Sequence, residues 1–313
     1  MTSILSITGP IYLAIALGYV CTRFGWFSRA DMRVFGQFVI RLALPGLLFS
    51  TVATREITDI LNVSYLLAYL VGTLFVITLG LAWGKRQHLP STDNVMAAMG
   101  MSCSNSSFIG YPILLLTLAP VAAVALALNM MVENLVVIPL LLVLAERGRH
   151  QGGNGWQMLQ RTAWQLVKNP LIVALALGLT VALMRWQLPE PLSRSINLFA
   201  TASAGLSLFV IGGTLFGLPL KGMGRQIAPI VVAKLLLHPL AVALATLALP
   251  LIGLPALAPH LQLAAVMLAA MPMMSIYPVL AQSYGKENLG AAALLATTVI
   301  SFFTLSGLLW LTH

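Results

Sequence analysis

Apolar residues fill ten long blocks of this chain, and most polar residues are confined to the stretches between the blocks. A helix needs roughly 20 predominantly apolar residues to cross the hydrocarbon layer of a bilayer. Because the blocks have about this length, the pattern predicts ten transmembrane helices. We place them at residues 4–22, 32–53, 63–83, 94–118, 120–145, 170–186, 196–216, 227–252, 261–281 and 291–309.

The longest polar stretch lies almost at the midpoint of the chain and leaves five predicted spans on each side. Because five is odd, the second half must enter the membrane from the opposite side, so any internal repeat is inverted. We therefore expect an all-α polytopic membrane protein with two inverted five-helix repeats, at residues 1–146 and 170–313. The cytoplasmic linker at residues 147–169 forms either an interfacial helix or a plain solvated loop.

The composition excludes a soluble protein. Of the 313 residues, 59% are hydrophobic and 8% are charged, against about 25% charged residues in a typical soluble domain. The net charge of +9 does not indicate nucleic-acid binding, because the cations lie mainly in loops. With the N-terminus outside, twelve of the 17 Lys and Arg residues fall in cytoplasmic loops, three in outer loops and two within spans. This asymmetry predicts that both termini are extracytoplasmic.

Tyr-Pro pairs stand in the fourth and ninth predicted spans, as Tyr111-Pro112 and Tyr277-Pro278. Proline removes a helical hydrogen bond and clashes with the preceding turn. In hydrocarbon, the freed backbone groups need partners in the protein or in trapped water. A matched pair of broken helices indicates the central binding site of a transporter, with simple kinks as the alternative.

The residues around these two breaks are suited to an anion, because the N-termini of half-helices are positive and the nearby side chains are mostly neutral donors. The predicted substrate site comprises Asn105, Ser106, Ser107, Gly110, Tyr111, Lys234, Ser275 and Tyr277. The prolines expected at the helix crossover are Pro112, Pro272 and Pro278. Asn129 and Asn134 either line the site or bridge helices.

Four ionisable side chains fall inside predicted spans, where a charge at the bilayer centre costs roughly 2.5–3.5 kcal/mol on insertion scales. Glu133 could carry a coupling proton or pair with Lys234 or Arg41. Lys234 could neutralise a bound carboxylate or replace a coupling cation. Arg41 either takes part in charge pairing or snorkels towards the interface. His238 either titrates during transport or is a satisfied helix residue.

Several short motifs together resemble the bacterial branch of the auxin efflux carrier family. They are residues 43–49, 104–116, 133–139, 168–170, 234–239 and 269–285. The resemblance covers nearly the whole chain and is greatest to the malonate carriers, notably at residues 133–139. It implies the inverted-repeat fold shared with sodium/proton antiporters and bile-acid symporters, in which helices four and nine are broken and cross. The crossing is expected at Pro112 and Pro278.

The resemblance also implies elevator-like secondary transport of malonate or a similar dicarboxylate across the bacterial inner membrane. The sequence lacks a Walker lysine motif and the common hydrolase and metalloprotease motifs, so neither ATP-driven transport nor an enzyme is expected. We expect no metal or resident cofactor, only a co-transported proton or sodium ion. The expected partners are the anion, the lipid bilayer and, in a homodimer, a second copy. Export of a lipophilic monocarboxylate, as in the plant relatives, and a gated anion channel are the alternatives.

Overall fold

The computed structural model describes residues 2–54, 61–149, 164, 167–217, 224–275, 277–282 and 286–312. Regular structure in this part of the chain is helical, apart from one isolated bridge between Ser104 and Met273. The first eight α-helices are α1 (Thr2–Arg23), α2 (Arg29–Phe38), α3 (Leu44–Ala53), α4 (Val63–Arg86), α5 (Ser91–Ser102), α6 (Tyr111–Thr117), α7 (Ala119–Val132) and α8 (Ile138–Arg149). The remaining seven are α9 (Pro170–Leu183), α10 (Glu190–Leu215), α11 (Gly224–Val232), α12 (His238–Ala248), α13 (Pro259–Ala270), α14 (Tyr277–Gln282) and α15 (Glu287–Thr312).

Six helical stretches in the described residues are long and apolar enough to cross a membrane. They are Arg29–Ala53, Val63–Arg86, Ala119–Ala145, Glu190–Leu215, Gln226–Ile252 and Leu289–Leu311. Shorter apolar helices cover Ser106–Thr117, Pro170–Leu183 and Pro259–Ala270. The chain is therefore a polytopic α-helical membrane protein, as predicted. The count of ten spans and the inversion of the two halves stay predictions, and most of the linker at 147–169 lies outside the described residues.

Four five-residue π-helical segments each end two residues before a proline. They are π1 (Val39–Ala43), π2 (Ser106–Gly110), π3 (Glu133–Val137) and π4 (Ala233–Leu237), and they precede Pro45, Pro112, Pro139 and Pro239. In π1, the N–H of Leu44 donates to the carbonyl of Val39, five residues earlier. Proline has no N–H and its ring collides with the carbonyl four residues before it in an α-helix. A wider turn just ahead of the proline relieves that conflict without ending the helix.

The chain forms two compact units, each drawn from both halves of the sequence. The first unit comprises Met1–Asn62, Ser106–Leu128 and Lys168–Leu218. The second unit comprises Val63–Asn105, Asn129–Val167 and Pro219–His313. This division differs from the division into two predicted sequence repeats. The structure does not test those repeats.

The first unit is organised around α10, which packs against α1, α2, π1, α3 and π2. Glycines allow the closest of these contacts. Gly18 of α1 lies against the backbone of Phe209, and Gly212 of α10 lies against the carbonyl of Ile15. A Cβ atom at either glycine would collide with the facing backbone, so α1 and α10 approach each other as closely as they do only because these side chains are absent.

The second unit is organised around α4, which packs against α5 and α12. A Cβ atom added at Gly72 of α4 would lie 2.8 Å from the Cα atom of Val242 in α12. One added at Gly80 would lie 3.3 Å from the Cα atom of Ala98 in α5. Small residues therefore bring α4 close to both neighbours, and α12 packs in turn against α13.

Two helices of the second unit end inside predicted spans. α5 ends at Ser102, and α13 ends at Ala270 with α14 beginning at Tyr277. The crossing at Pro112 and Pro278 stays a prediction. Pro278 is the second residue of α14, directly after the second interruption, whereas Pro112 is the second residue of α6, which continues π2. Among the three crossover prolines, Pro272 lies in an interruption. The residue before it, Met271, is extended (φ −62°, ψ 153°), because a following proline disfavours the α-helical conformation.

We predict that Gly212→Ala lowers the free energy of unfolding by about 1–3 kcal/mol, the usual cost of overpacking, because its Cβ would collide with the backbone of α1. Thermal unfolding in detergent would measure the loss. The matched control is Gly205→Ala on the same helix, where an added Cβ meets no heavy atom within 4 Å. Equal stability of the two variants would show that α1 and α10 do not pack as described.

Candidate functional site

The two interruptions of the second unit pair with each other in extended conformation. The N–H of Asn105 donates to the carbonyl of Pro272 at 2.8 Å, and the N–H of Met274 donates to the carbonyl of Cys103 at 3.3 Å. Ser104 and Met273 form the antiparallel bridge between them. All six residues are buried. This pairing satisfies backbone groups that the ends of α5 and α13 would otherwise leave without partners.

Lys234 of π4 places a cation at this pairing. Its side chain is fully buried, and its Nζ atom donates to Ser104 Oγ at 2.9 Å and to the carbonyl of Ala269 at 2.6 Å. Nζ also lies 3.0 Å from Nδ1 of His238. An ammonium group has three donors and no acceptor, so these three contacts match its capacity. The carbonyl of Ala269 belongs to the last turn of α13, the negative end of the helix dipole.

His238 joins Lys234 to α4. If Nδ1 accepts from the ammonium, the ring hydrogen is on Nε2, which lies 3.1 Å from the hydroxyl oxygen of Thr73. The ring also stands edge-on to Tyr69, with the ring centroids 5.7 Å apart. Of the two interpretations offered for His238, the geometry matches that of a satisfied helix residue, since both ring nitrogens lie within hydrogen-bond distance of a side chain.

Glu133 of π3 places a carboxylate on the other side of Ser104. Its Oε1 atom accepts from the N–H of Ser104 at 3.0 Å and from the hydroxyl of Tyr69 at 3.4 Å. The side chain is buried, and a buried charge is stable only when it is paired and hydrogen-bonded. Glu133 and Lys234 thus meet through Ser104, which donates to one and accepts from the other. Of its two predicted partners, the structure places Lys234 in the same network, whereas Arg41 belongs to the first unit.

Three predicted substrate-site residues lie beside this network in the second unit. Asn105 Nδ2 donates to Ser275 Oγ at 2.6 Å, which links the two interruptions through side chains. The hydroxyl of Tyr277 donates to the carbonyl of Met96 at 2.9 Å. Asn105 and Ser275 therefore present neutral polar groups next to a buried cation, while Tyr277 holds α14 against α5.

Four of the other predicted residues belong to the first unit. Ser106, Ser107, Gly110 and Tyr111 lie in π2 and α6, where Ser107 is half-buried and the other three are buried. In the second unit, Asn129 is fully buried one helical turn before Glu133 and hydrogen-bonds to it through its side chain, and Asn134 donates to the carbonyl of Met130 at 3.1 Å. Arg41 is exposed on π1.

The sequence did not single out Ser104, Tyr69 or Thr73, although the first two contact the buried charges and Thr73 contacts His238. The sequence contains a pattern that could have indicated two of them, Tyr69 and Thr73. Tyr65, Tyr69 and Thr73 recur every four residues on α4, which puts polar hydroxyls on one face of an otherwise apolar helix. Tyr65 stacks on Tyr69 with parallel rings and centroids 6.1 Å apart, so this face is fully packed.

A cavity of about 270 Å³ lies in the first unit. It is formed by the end of α3, the start of α10 and parts of the chain near them. Its lining residues are Phe49, Ser50, Thr51, Thr54, Ala123, Leu188, Ser193, Ile196 and Asn197. Four of these nine residues carry a hydroxyl group, and none of them is charged.

A buried ion network at two paired helix interruptions suits a membrane transporter better than an enzyme, and comparison with known proteins decides the class. The family described as "Membrane transport protein" matches residues 4–310. The chain belongs to this family. The resemblance to auxin efflux carriers is thereby confirmed, and the protein is a membrane transporter and not an enzyme.

Curated relatives match along nearly the whole chain. A Rhizobium meliloti (strain 1021) protein named "Putative malonate transporter" is 31% identical over 99% of this chain and 96% of its own length. The "Uncharacterized transporter YfdV" of Escherichia coli (strain K12) is 27% identical over 94% of this chain and 92% of its own length. An "Uncharacterized transporter" of Methanothermobacter thermautotrophicus is 25% identical over 33% of this chain and 34% of its own length.

We predict that Lys234→Met lowers the free energy of unfolding by about 3–5 kcal/mol, because it leaves the carboxylate of Glu133 buried without a nearby cation. The double variant Lys234→Met/Glu133→Gln should recover a large part of that loss. Thermal unfolding of the two single variants and the double variant in detergent completes the cycle. Strictly additive losses would show that the two side chains are not coupled through Ser104.

Proposed function

We propose that this transporter is a secondary active carrier of a small organic anion, with malonate or a similar dicarboxylate as its substrate. The observation that carries the proposal is the pairing of two interrupted helices around Ser104 and Met273, with the cation of Lys234 buried against it. Interrupted helices provide polar backbone and side chains at a depth where a continuous helix presents only apolar ones. The name of the Rhizobium relative supports malonate as the substrate.

In this proposal, Asn105 and Ser275 contact the anion directly. They already bond to each other across the two interruptions, and an amide with a hydroxyl can exchange that bond for bonds to a carboxylate. Lys234 does not contact the anion in this proposal. Its three contacts are with protein atoms, so it makes the site electropositive and holds Ser104 in place without leaving the network. This favours its role as a fixed cation over that of a direct substrate ligand.

Uptake of a dianion needs a coupling ion. Moving two negative charges against an inside-negative potential of 100 mV costs about 4.6 kcal/mol, since each charge contributes about 2.3 kcal/mol. We propose that protons are co-transported and that Glu133 carries one of them. Two observations support this choice. Glu133 is a buried carboxylate in the network and can take up a proton. The oxygen atoms of Ser104 and Ala269, which a metal cation would need as ligands, already accept from the ammonium of Lys234.

The proposed mechanism is elevator-like alternating access in a bacterial inner membrane, with ten transmembrane helices in two inverted repeats. Both termini are extracytoplasmic in this proposal, and two copies form a homodimer. The mechanism is supported by the way the two compact units are assembled, since each unit contains segments from both halves of the chain. Inverted-repeat transporters are commonly built in this way, with one body moving against the other around the binding site.

We predict that purified protein in liposomes takes up labelled malonate with saturable kinetics, and that Asn105→Ala reduces uptake at least tenfold because the amide donor is lost. The control is Thr78→Ala in the same unit, an exposed residue whose hydroxyl donates to the carbonyl of Leu74 in its own helix. Counterflow of labelled malonate against unlabelled malonate tests for a carrier. Flux that rises linearly with concentration, without counterflow, would instead indicate a channel.

A second prediction concerns the coupling ion. An inwardly directed proton gradient should accelerate malonate uptake, and a sodium gradient at constant pH should not. Glu133→Gln should abolish the acceleration, because an amide cannot carry the proton. Initial rates under the two gradients measure the effect. Acceleration by sodium alone would overturn proton coupling, and preferred efflux of a lipophilic monocarboxylate would point to the exporter.

A further inference from the structure

α14 (Tyr277–Gln282) follows the second interruption, and Ser275 of the proposed anion site stands two residues before it. We propose that the ion pair between Asp93 and Lys286 positions α14 along α5, so that Ser275 stays within reach of Asn105. Asp93 and Lys286 are positioning residues in this inference and do not contact the anion. The inference rests on the proposed function for the role of Asn105 and Ser275, and on contacts within the second unit for the position of α14.

The position of α14 depends on its neighbours, because a helix of six residues is too short to be stable by itself. It packs along α15, where a Cβ atom added at Gly290 would lie 3.0 Å from the Cα atom of Pro278. It also contacts α5, since the hydroxyl of Tyr277 donates to the carbonyl of Met96. α14 therefore keeps its place only as long as its contacts with α5 and α15 hold.

Lys286 joins three helices of the second unit. Its N–H donates to the carbonyl of Ala281 at 2.9 Å, in the last turn of α14, and its carbonyl accepts from the N–H of Gly290 at 2.9 Å, in the first turn of α15. Its Nζ atom lies 2.9 Å from Oδ2 of Asp93, in the first turn of α5. The backbone of Lys286 thus connects the end of α14 to the start of α15, and its side chain connects both to α5.

The ion pair and the contact between the two substrate-site residues lie at opposite ends of the same two segments. α5 ends at Ser102, so Asp93 lies about 14 Å before the interruption at 1.5 Å per residue. At the interruption, Asn105 donates to Ser275 at 2.6 Å, and at the far end Asp93 meets Lys286. Because the two segments are joined at both ends, α14 cannot shift along α5 without breaking one of these contacts.

The exposure of the ion pair indicates that it affects the position of α14 more than the stability of the whole fold. The side chains of Lys286 and Asp93 are 40% and 23% exposed, and ion pairs in contact with solvent contribute little to overall stability. A small free energy still matters for a local rearrangement, which costs less than global unfolding. If α14 shifts in a fraction of the molecules, the apparent affinity for the anion falls in proportion to the fraction that stays competent to bind.

Transport kinetics in liposomes test the inference. Lys286→Gln and Asp93→Asn should each raise the KM for malonate about two- to fivefold, the range set by the usual strength of such a pair. The maximal rate and the melting temperature should change little. The double variant should have a KM no higher than that of the weaker-binding single variant, because the second change finds no ion pair left to break. Lys286→Arg keeps the pair and should keep most of the affinity.

The two single variants separate positioning from simple attraction of the anion. Lys286→Gln removes a positive charge and Asp93→Asn removes a negative one, so a purely electrostatic effect on an anion would have opposite signs. Positioning predicts a rise in KM for both. The matched control is Arg194→Gln in α10, which breaks an exposed ion pair with Glu190 within a single helix and should leave the KM unchanged.

A measurement without substrate reports on α14 itself. Hydrogen exchange followed by mass spectrometry should show faster exchange of the amides of α14 in Lys286→Gln than in the unmodified protein, because the helix opens more often when the ion pair is lost. The peptide that covers α13 serves as the internal reference. Equal exchange of α14 in the two proteins overturns the inference.

The outcomes separate this inference from the proposed function. An unchanged KM in both single variants, or a rise in one and a fall in the other, overturns the positioning role and leaves malonate transport intact. A rise in Arg194→Gln equal to that in Lys286→Gln also overturns it. Absence of malonate uptake by the unmodified protein overturns the proposed function, and the role of the ion pair in binding with it. If Lys286→Gln does not fold, Asp93→Asn compared with Glu190→Gln in α10 carries the test.

Discussion

The ammonium group of Lys234 depends on three acceptors supplied by three different parts of the second unit, and those parts depend on it in turn. Ser104 belongs to one helix interruption, the carbonyl of Ala269 closes α13 just before the other, and His238 begins α12. A cation in an apolar interior is tolerated only when each donor is satisfied. The paired interruptions and His238 supply the acceptors that satisfy these donors, and Glu133 supplies the opposite charge nearby.

Prolines set the local geometry in which the intramembrane charges appear. Arg41, Glu133 and Lys234 each lie in a π-helical segment that ends two residues before a proline. A widened turn changes the direction in which a side chain leaves the helix axis. The same kind of π-helical segment occurs in different surroundings: Glu133 and Lys234 are buried, and Arg41 is exposed. The surrounding packing, and not the π turn itself, decides between burial and exposure.

Much of the site was predictable from the sequence, but its centre was not. The sequence indicated two interrupted helices and the polar pair Asn105 and Ser275, because apolar spans with polar and proline residues inside them stand out in one dimension. It did not show where in each span the interruption lies, because a proline is compatible with the first turn of a helix as well as with a break. It also missed Ser104, because a lone serine in an apolar segment looks the same whether it bonds its own helix or two charges.

The sequence by itself determined that this chain is a polytopic membrane protein and that polar and proline residues interrupt some of its apolar helices. Hydrocarbon requires long apolar helices, and the effect of proline on backbone geometry is local. Only the tertiary structure decided which charges meet. Ser104 is 29 residues from Glu133 and 130 residues from Lys234, yet it bonds to both. Contacts across such distances in sequence depend on how helices pack, and that packing results from many small steric fits, such as Gly72 against Val242, which no local pattern of residues encodes.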